Sequence, residues 1–305
     1  MENVALINAE KTNRALKAKA RNEKIRKILA NVFIYFVLLL MYAPIIYIVV
    51  FSFSDSEANG IFGNCTFGNY ADLFDFEIDA SYKIWEAAKN TALVAVVSAL
   101  FSTILGTLGA IGIFYLRKKW MKNSLDFITQ IPVVNAEVVT AISLLALFTF
   151  IGKVIPLSLN FFTLVIGHVV ISVPYVIMSV GPKLEQMDPS LYEAAMDLGA
   201  TQTKALWKVV VPDILPGILS GFLLSITLSL DDYVVTAFTR PKSNGTFHTI
   251  STYVDSITKK SGLPMQLRAF TAILFVVILI VMIVMNVKSH HNSREILKKE
   301  KNKND

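Results

Sequence analysis

Three acidic side chains lie in stretches of sequence that are otherwise apolar. Glu137 belongs to one such stretch, and Asp231 and Asp232 lie side by side near the end of another. An ionised residue at the centre of a membrane span costs about 2.5–3.5 kcal/mol on insertion scales, so acids there are expected to face a bundle interior and to serve function. Neighbouring carboxylates also repel one another unless a cation is present. The pattern predicts a site for a cationic substrate, to which Tyr233 can add a cation–π contact.

Hydration or pairing with nearby side chains could also account for the same acids. Asp231 and Asp232 could be hydrated at the membrane surface or could pair with Arg240. Glu137 could hydrogen-bond to a neighbouring helix or to His168, a residue whose setting favours an interhelical hydrogen bond over a functional role. The sequence leaves these alternatives open.

A polar stretch at residues 188–212 separates two apolar runs and predicts a pair of short helices. Asp188 can cap the first helix, and Pro189 suits its first position. Gly199 falls where a helix can end in a left-handed turn. A small apolar face with an acid beside it follows from the helical spacing of Leu191, Glu193, Ala194, Ala195 and Leu198. A compact helix pair at a membrane surface predicts a docking surface for another protein.

Six apolar segments are long enough to cross a bilayer, which needs about 20 residues per helix. They predict an all-α polytopic membrane protein with a basic segment at 1–27, a six-helix domain at 28–288 that includes a cytoplasmic loop at 185–212, and a basic tail at 289–305. The predicted spans are Ile28–Phe53, Thr91–Leu116, Phe127–Ile151, Phe161–Pro182, Ile214–Phe238 and Ala269–Val287.

The charge distribution predicts the orientation in the membrane. Residues 11–27, the turn at 117–122 and the C-terminal tail are rich in Lys and Arg, whereas the loop at 54–89 is acidic. By the positive-inside rule both termini and the 183–213 loop lie in the cytoplasm. The basic loop at 239–268, external in this arrangement, is the one disagreement. The net charge of +6 therefore indicates orientation and contact with lipid headgroups, and not a nucleic-acid partner.

Motifs for several kinds of chemistry do not occur in the sequence. No phosphate-binding G-x-x-x-x-G-K-[ST] loop, G-x-S-x-G elbow or H-E-x-x-H helix occurs. The single cysteine, Cys65, excludes an intramolecular disulfide, and the histidines lack zinc-like spacing. We therefore expect neither a catalytic centre nor a bound metal or cofactor in this chain.

The polar stretch resembles a known motif. Glu-Ala-Ala at 193–195, Gly199 and the 209–212 segment ending in Pro212 have the spacing of E-A-A-x3-G-x9-I-x-L-P, with Val at 209 and 211. This resembles the EAA loop of binding-protein-dependent ABC importer permeases. The stretches 42–46, 137–145 and 225–235, which include Ser229, resemble the PotC-type permeases of spermidine/putrescine importers. Ala136 stands where those permeases often have proline.

The resemblance implies a type I importer (MetI-like) fold and a role as the polyamine permease subunit in the cell membrane. It implies an ATPase dimer on the 188–212 loop that binds ATP and Mg, a second and different permease, and an extracytoplasmic substrate-binding protein. Its substrate pathway would include Glu137, Ser229, Asp231, Asp232 and Tyr233, and its ATPase contacts would include Leu191, Glu193, Ala194, Ala195, Leu198, Gly199 and Pro212.

Other functions remain compatible with parts of the sequence. A permease for Fe(III), thiamine or sulfate is the nearest alternative, although an anion such as sulfate would require basic rather than acidic groups along the path. A membrane scaffold or sensor that only recruits an ATPase would leave the acids without a role. An enzyme is the least favoured, because no set of nucleophile, base and metal is present.

Overall fold

The computed structural model describes residues 2–56, 61–154, 158–241, 247–259, 263–280 and 283, and this part of the chain is almost entirely helical. It forms two compact units. One comprises Met1–Phe76 with Pro264–Asp305, and the other comprises Glu77–Leu263. The helices are α1 Glu2–Phe51, α2 Gly68–Leu73, α3 Asp79–Phe114, α4 Lys119–Val134, α5 Glu137–Val154, α6 Phe161–Gln186, α7 Pro189–Asp197, α8 Gln202–Asp213, α9 Leu215–Asp231, α10 Val234–Thr239, α11 Ile250–Thr258 and α12 Met265–Ile280.

Four helices are long and apolar enough to span a membrane: α1 from Asn22 onward, α3, α5 and α6. A fifth candidate is the pair α8 and α9, which is bent by 68°. The shorter apolar helix α12 corresponds to the sixth predicted segment, whose last residues fall mostly outside the described part. All six predicted segments therefore coincide with apolar helices, and the expectation of an all-α polytopic membrane protein is confirmed.

Two predicted spans are interrupted where the sequence suggested continuous helices. In the third predicted span, α4 ends at Val134 and α5 begins at Glu137. Asn135, between them, has an extended backbone conformation. Asn135 is the C-cap of α4, and asparagine is a weaker helix former than the apolar residues that precede it. The fifth ends as α9 at Asp231, and Asp232 is extended before α10 begins. Both interruptions therefore lie next to the intramembrane acids.

The helices of the first two predicted spans begin much earlier than predicted. α3 starts at Asp79 rather than at Thr91, so its 36 residues extend about 54 Å, longer than a hydrocarbon core. α1 starts at Glu2, so the basic segment at 1–27 is continuous with the first span. The acidic loop is correspondingly shorter than its predicted range of 54–89.

The unit containing α1 and α12 is fastened by polar contacts just beyond the end of α1. Asn69 of α2 donates from Nδ2 to the carbonyl oxygens of Ser52 and Ser54, each at 2.8 Å. Arg268 of α12 donates from Nη1 to the carbonyl oxygen of Ser56 at 3.0 Å. No side chain between residues 22 and 51 is buried, so α1 presents its apolar surface outward, as a helix in contact with lipid or another membrane subunit does.

The other unit is built on close packing of α3, α6 and α9. Small residues of α3 at successive i+4 positions, Ser98, Ser102, Gly106 and Ala110, are all buried. α3 approaches α6 very closely at Gly106, because a Cβ atom there would lie 2.6 Å from Cβ of Val176. On α9, a Cβ atom at Gly221 would lie 3.2 Å from Cα of the same Val176. These four residues thus form a small-residue stripe on one face of α3, which is the packing surface expected of membrane helices.

The substitution Gly106→Ala is expected to destabilise the protein. Overpacking costs about 1–3 kcal/mol, more than the roughly 0.5–1 kcal/mol that alanine gains over glycine in a helix. Gly112→Ala on the same helix is the matched control, because nothing lies within 4 Å of a Cβ atom there. Thermal unfolding in detergent should show a lower Tm for Gly106→Ala alone. An equal or higher Tm would contradict the packing argument.

Candidate functional site

The three acids border a single cavity of about 150 Å³ formed by α4, α5, α6, α9 and the segment that follows α9. Glu137 reaches it from the first residue of α5, and Asp231 and Asp232 reach it from the end of α9. The interruption between α4 and α5 and the one after α9 thus bring together residues that are far apart in sequence. The complete lining is Pro132, Glu137, Thr140, Ile171, Tyr175, Leu228, Asp231 and Asp232.

Asp231 lies in an electrostatic setting that favours a bound cation. It is exposed, and it is the last residue of α9, where the carbonyl groups of a helix carry partial negative charge. Within the described part of the chain, neither its carboxylate nor that of Glu137 has a hydrogen-bond or ion-pair partner. The cavity therefore carries negative charge that the surrounding protein leaves uncompensated.

Asp232 is held quite differently from its neighbour. It is 7% exposed, and its carboxylate accepts hydrogen bonds from N–H of Val235 at 3.1 Å and from N–H and Oγ1 of Thr236, both at 2.8 Å. These are the donors at the start of α10, so the carboxylate caps that helix. The Asp232 carbonyl accepts from Oγ of Ser251 on α11 at 2.8 Å. Both polar ends of this residue are therefore used within the protein.

His168 connects α6 to both sides of the interruption after α9. The fully buried ring lies with Nδ1 2.8 Å from Oγ of Ser229 and with Nε2 3.0 Å from Oγ1 of Thr236. Ser229 in turn accepts from Oγ of Ser98 on α3 at 3.1 Å. Since both ring nitrogens are taken up in this way, the expected role of His168 as an interhelical hydrogen-bonding residue is what the structure shows, and its partner is not Glu137.

Two other residues predicted for the substrate pathway lie outside the cavity lining. Ser229 is 3% exposed and faces His168 and Ser98. Tyr233 hydrogen-bonds to Asp255 on α11, and hydrogen bonds from Lys259 and Tyr233 hold the pKa of Asp255 below its usual value. Arg240, considered as a partner for the acids, instead lies with Nη1 2.6 Å from Nδ1 of His248.

The predicted helix pair forms as α7 and α8, with the expected ends. The side chain of Asp188 accepts from N–H of Ser190 at 2.9 Å, and this hydrogen bond holds the pKa of Asp188 below its usual value. Gly199 has a φ of 84°, a left-handed conformation that favours glycine. N–H of Gly199 donates to the Met196 carbonyl and N–H of Ala200 to the Ala195 carbonyl, which is the Schellman pattern.

The two sides of this helix pair differ in burial. Leu191 and Ala194 are exposed, Ala195 is half-buried, and Leu198 is 90% exposed. Glu193 and Pro212 are also exposed. On the opposite side, Tyr192 packs on a core at the ends of α3 and α6 that also takes in Val210 and Ile214. The helix pair is thus anchored to the bundle and presents an uncovered apolar face.

A larger cavity, of about 300 Å³, lies between α3, α4 and α6. The ammonium of Lys122 already occupies its polar side, with Nζ 3.7 Å from Oε1 of Glu185 and 5.7 Å from the ring centroid of Phe114. Because the protein supplies its own cation there, this cavity is less suited to a cationic substrate than the one that Glu137 and Asp231 border.

Sequence reasoning missed the polar contacts centred on His168, although a signal for them exists. Each of three apolar helices carries, among its polar residues, a pair four positions apart: Ser98 and Ser102, His168 and Ser172, and Ser225 and Ser229. Such pairs share one helix face. In a membrane those faces are expected to meet, because hydrocarbon offers no hydrogen-bond partners.

The chain is similar in sequence to a family of transport proteins and to several of its members. Residues 102–295 match the family described as "Binding-protein-dependent transport system inner membrane component". The chain is 31% identical over 268 residues to the spermidine/putrescine transport system permease protein PotC of Haemophilus influenzae, covering 88% of this chain and 99% of that protein. It is 32% identical over 200 residues to the putrescine transport system permease protein PotI of Escherichia coli K12, covering 65% and 69% of the two chains.

One solved structure has the same fold. It is a bacterial ABC transporter involved in the import of the acidic polysaccharide alginate, and the matched chain superposes with a TM-score of 0.64 at 19% identity. The match covers 93% of this chain and 99% of that chain. At this identity the likeness concerns the fold and not the cargo.

Labelling of introduced cysteines tests whether the acid-lined cavity is open to water. In a Cys65→Ser background, which removes the single cysteine, Thr140→Cys places a thiol on the cavity lining, and we expect it to react with a membrane-impermeant maleimide. Ser172→Cys is the matched control, because this position on α6 is fully buried. Equal labelling of the two thiols would show that the cavity is not a distinct water-accessible site.

Proposed function

Since the chain belongs to the family of binding-protein-dependent inner-membrane permeases of ABC importers, we propose that it carries polyamines such as spermidine and putrescine into the cell. Members of this family are multi-pass transport subunits and not enzymes, and they work with a separate ATPase and a substrate-binding protein. The polyamine cargo is supported by the names of its relatives and, independently, by the unpaired acids of the cavity.

The observation that carries the cargo proposal is the uncompensated charge of Glu137 and Asp231 in one cavity. A protonated amine would relieve the repulsion between the carboxylates and would suit the negative end of α9. Asp232 completes the acidic border, although its carboxylate is already hydrogen-bonded three times. An anionic cargo would meet only repulsion here.

The size of the cavity indicates how much of the substrate one chain can hold. A volume of about 150 Å³ is below the roughly 300–1,000 Å³ of typical ligand sites, so it suits one ammonium end with its neighbouring methylene groups. The remaining amines would need groups from elsewhere. A second permease subunit of different sequence, facing the same pathway, would supply them.

The helix pair α7 and α8 is the proposed docking element for the ATPase dimer. Its apolar face of Leu191, Ala194 and Leu198 is exposed, with Glu193 beside it. ATP and Mg would be bound by that partner. This arrangement requires the 188–212 segment, and by the charge pattern both termini, to lie in the cytoplasm.

The packing suggests how ATPase movement would reach the cavity. Val210 and Ile214 pack in one core with Val180 and Leu184 of α6, and α6 continues to Ile171 and Tyr175 on the cavity lining. Movement of the helix pair would therefore displace the α6 and α9 bundle as a body, exchanging outward-facing and inward-facing states.

Uptake measurements test the cargo. In cells whose native copy is replaced, the wild-type chain should take up radiolabelled spermidine or putrescine but not iron. Asp231→Asn and Glu137→Gln keep side-chain size and remove charge, and each should lower polyamine uptake by about tenfold or more, because a hydrogen bond to a charged group is worth about 1.5–3 kcal/mol.

Asp79→Asn is the matched control for the uptake measurement, since it removes one carboxylate from an exposed pair with Lys83 on α3. It should leave uptake unchanged. Iron uptake without polyamine uptake by the wild type would reject the proposed cargo. Unaltered polyamine transport by Asp231→Asn would reject the assigned acid.

Co-purification tests the docking element. Leu198→Asp should reduce the ATPase recovered with the permease by about tenfold, because a charge would be buried in an apolar contact. Folding of this chain does not depend on a side chain that is 90% exposed, so the permease itself should accumulate normally. Leu198→Met, which keeps the contact apolar, is the control.

Gly199→Val approaches the same question through the backbone. A β-branched residue at a φ of 84° is strained, so the turn between α7 and α8 should shift and ATPase recovery should fall. Full ATPase recovery with both Leu198→Asp and Gly199→Val would place the docking surface elsewhere.

A further inference from the structure

The hydroxyl, imidazole and carboxylate groups between α3 and α10 form one continuous hydrogen-bonded chain. It runs from Ser98 through Ser229, His168 and Thr236 to Asp232 and joins four helices. All five residues are at most 7% exposed. Cation binding in the cavity does not account for this chain, because only its last member borders the cavity.

With a neutral imidazole these hydrogen bonds have one consistent direction, in which the single hydroxyl proton of Ser98 is shared between Oγ of Ser229 at 3.1 Å and the Val94 carbonyl at 2.6 Å. Oγ1 of Thr236 donates to Oδ2 of Asp232, so it accepts from Nε2–H of His168. Nδ1 of the ring is then the acceptor, and it receives the Ser229 hydroxyl proton, leaving Oγ of Ser229 to accept from Ser98. A neutral imidazole satisfies every member. In hydrocarbon surroundings these groups have to be satisfied by one another, because no water is there to replace a lost partner.

His168 lies where its ring can connect the two sides of the interruption between α9 and α10. Ser229 lies two residues before Asp231, and Thr236 lies at the start of the next helix, so one ring holds both sides of the interruption. Asp231 is attached to this fixed frame and has no side-chain partner of its own among the described residues. Its place at the cavity therefore depends on contacts made by its neighbours.

Neighbouring acids consequently have different electrostatic roles. The carboxylate of Asp232 receives three hydrogen bonds within the protein, whereas that of Asp231 receives none from the described residues. The N–H groups at the start of α10 stabilise the negative charge of Asp232. The carbonyl groups at the end of α9 disfavour the negative charge of Asp231.

We propose that His168 and Asp232 are positioning residues: they fasten the interruption between α9 and α10 and thereby hold Asp231 in place to bind the cationic group of the substrate. This rests on the proposed function and narrows it, since the contact with substrate is assigned to Asp231 and Glu137 and not to Asp232.

Asparagine variants separate the two acids. Asp232→Asn keeps one acceptor oxygen, which can still cap α10 through the donors of Thr236 but not also through N–H of Val235, whereas Asp232→Ala removes both oxygens. Polyamine uptake per permease molecule in the membrane should therefore fall at least about tenfold in Asp231→Asn and Asp232→Ala, and clearly less in Asp232→Asn. Equal losses in Asp231→Asn and Asp232→Asn would overturn the proposal, because they would show that the charge of Asp232 is itself required.

Three substitutions of His168 test whether the two hydrogen bonds of its imidazole ring are needed for transport. His168→Leu removes both hydrogen bonds, His168→Asn can keep an acceptor for Ser229, and His168→Gln can keep a donor for Thr236. Uptake should fall most for leucine and be partly rescued by at least one amide. The ratio of putrescine to spermidine uptake should also change in His168→Leu, since displacing one of two binding groups affects a diamine and a triamine differently. A loss of general stability would lower both rates equally.

Ser102→Ala is the matched control. It removes a fully buried hydroxyl of α3 that donates only to the carbonyl of Ser98 in its own helix. Uptake by this variant should stay close to that of the wild type. Unchanged uptake by His168→Leu, or an equal fall for both polyamines without rescue by either amide, would overturn the proposal. If His168→Leu does not reach the membrane, Thr236→Val, which removes one link, is judged by the same criteria.

A substrate-independent measurement keeps this inference separate from the proposed cargo. The rate at which a maleimide labels Thr140→Cys on the cavity lining should change by about threefold or more when His168→Leu is added, and should not change with Ser102→Ala. A wild-type chain that carries no polyamine would refute the proposed function, while the labelling rates would still decide whether His168 shapes the cavity. An unchanged labelling rate would count against the inference even if polyamine uptake is confirmed.

Discussion

A helix that stops inside a membrane leaves backbone N–H and C=O groups that hydrocarbon cannot hydrogen-bond, so the protein must satisfy them itself. After α9, the carboxylate of Asp232 accepts from the N–H groups of Val235 and Thr236 at the start of α10, and its carbonyl accepts from the hydroxyl of Ser251. Because these groups are satisfied, the chain can interrupt the span there. An uninterrupted helix would leave Asp231 without a helix end, and the negative field that distinguishes it from Asp232 would be lost.

The same region depends on how closely α6 approaches its neighbours. Val176 lies against Gly106 of α3 on one side and Gly221 of α9 on the other, with no room for larger side chains. This contact lies between two functional levels of α6: His168 and Ile171 toward the acid-lined cavity, and Val180 and Leu184 toward the helix pair. Close-packed interiors transmit displacement instead of absorbing it. In the proposed mechanism, a displacement of α7 and α8 would therefore reach the cavity through α6 without a separate linkage.

Much of this architecture follows from local sequence. The apolar segments, the cap at Asp188, the left-handed turn at Gly199 and the small-residue stripe of α3 were predictable because each depends on residue type and short-range spacing. The interruptions at Asn135 and Asp232 were not. Averaged over a span, one polar residue hardly changes hydropathy, and whether it ends the helix depends on partners from other helices, such as Ser251 on α11.

The hydrogen-bond partners of His168 could not be predicted from sequence either, for a related reason. Helical spacing shows that Ser225 and Ser229 share a face, but it does not show how α9 is rotated relative to α6. That rotation is set by the glycines, since a Cβ atom at Gly217 would lie 3.0 Å from the Ser179 carbonyl. The resemblance placed Ser229 on the expected substrate pathway but did not indicate its contact with the imidazole of His168. The acids were grouped from their chemistry alone and they border one cavity, yet only the structure shows that Asp232 caps α10 and that Asp231 does not.

Different roles for Asp231 and Asp232 would suit a transporter better than two equivalent binding acids. A cation held by three ionised groups would be released more slowly than one held by two, because each further carboxylate adds Coulomb attraction. With Asp232 satisfied by α10, the cation would meet Asp231 and Glu137 only, on helices that the interruptions leave separate. If movement of the α6 and α9 bundle draws Asp231 away from Glu137, the site loses one of its two charges and the substrate is released. In the proposed mechanism, weak binding that depends on helix position would link the energy of the partner ATPase to the direction of transport.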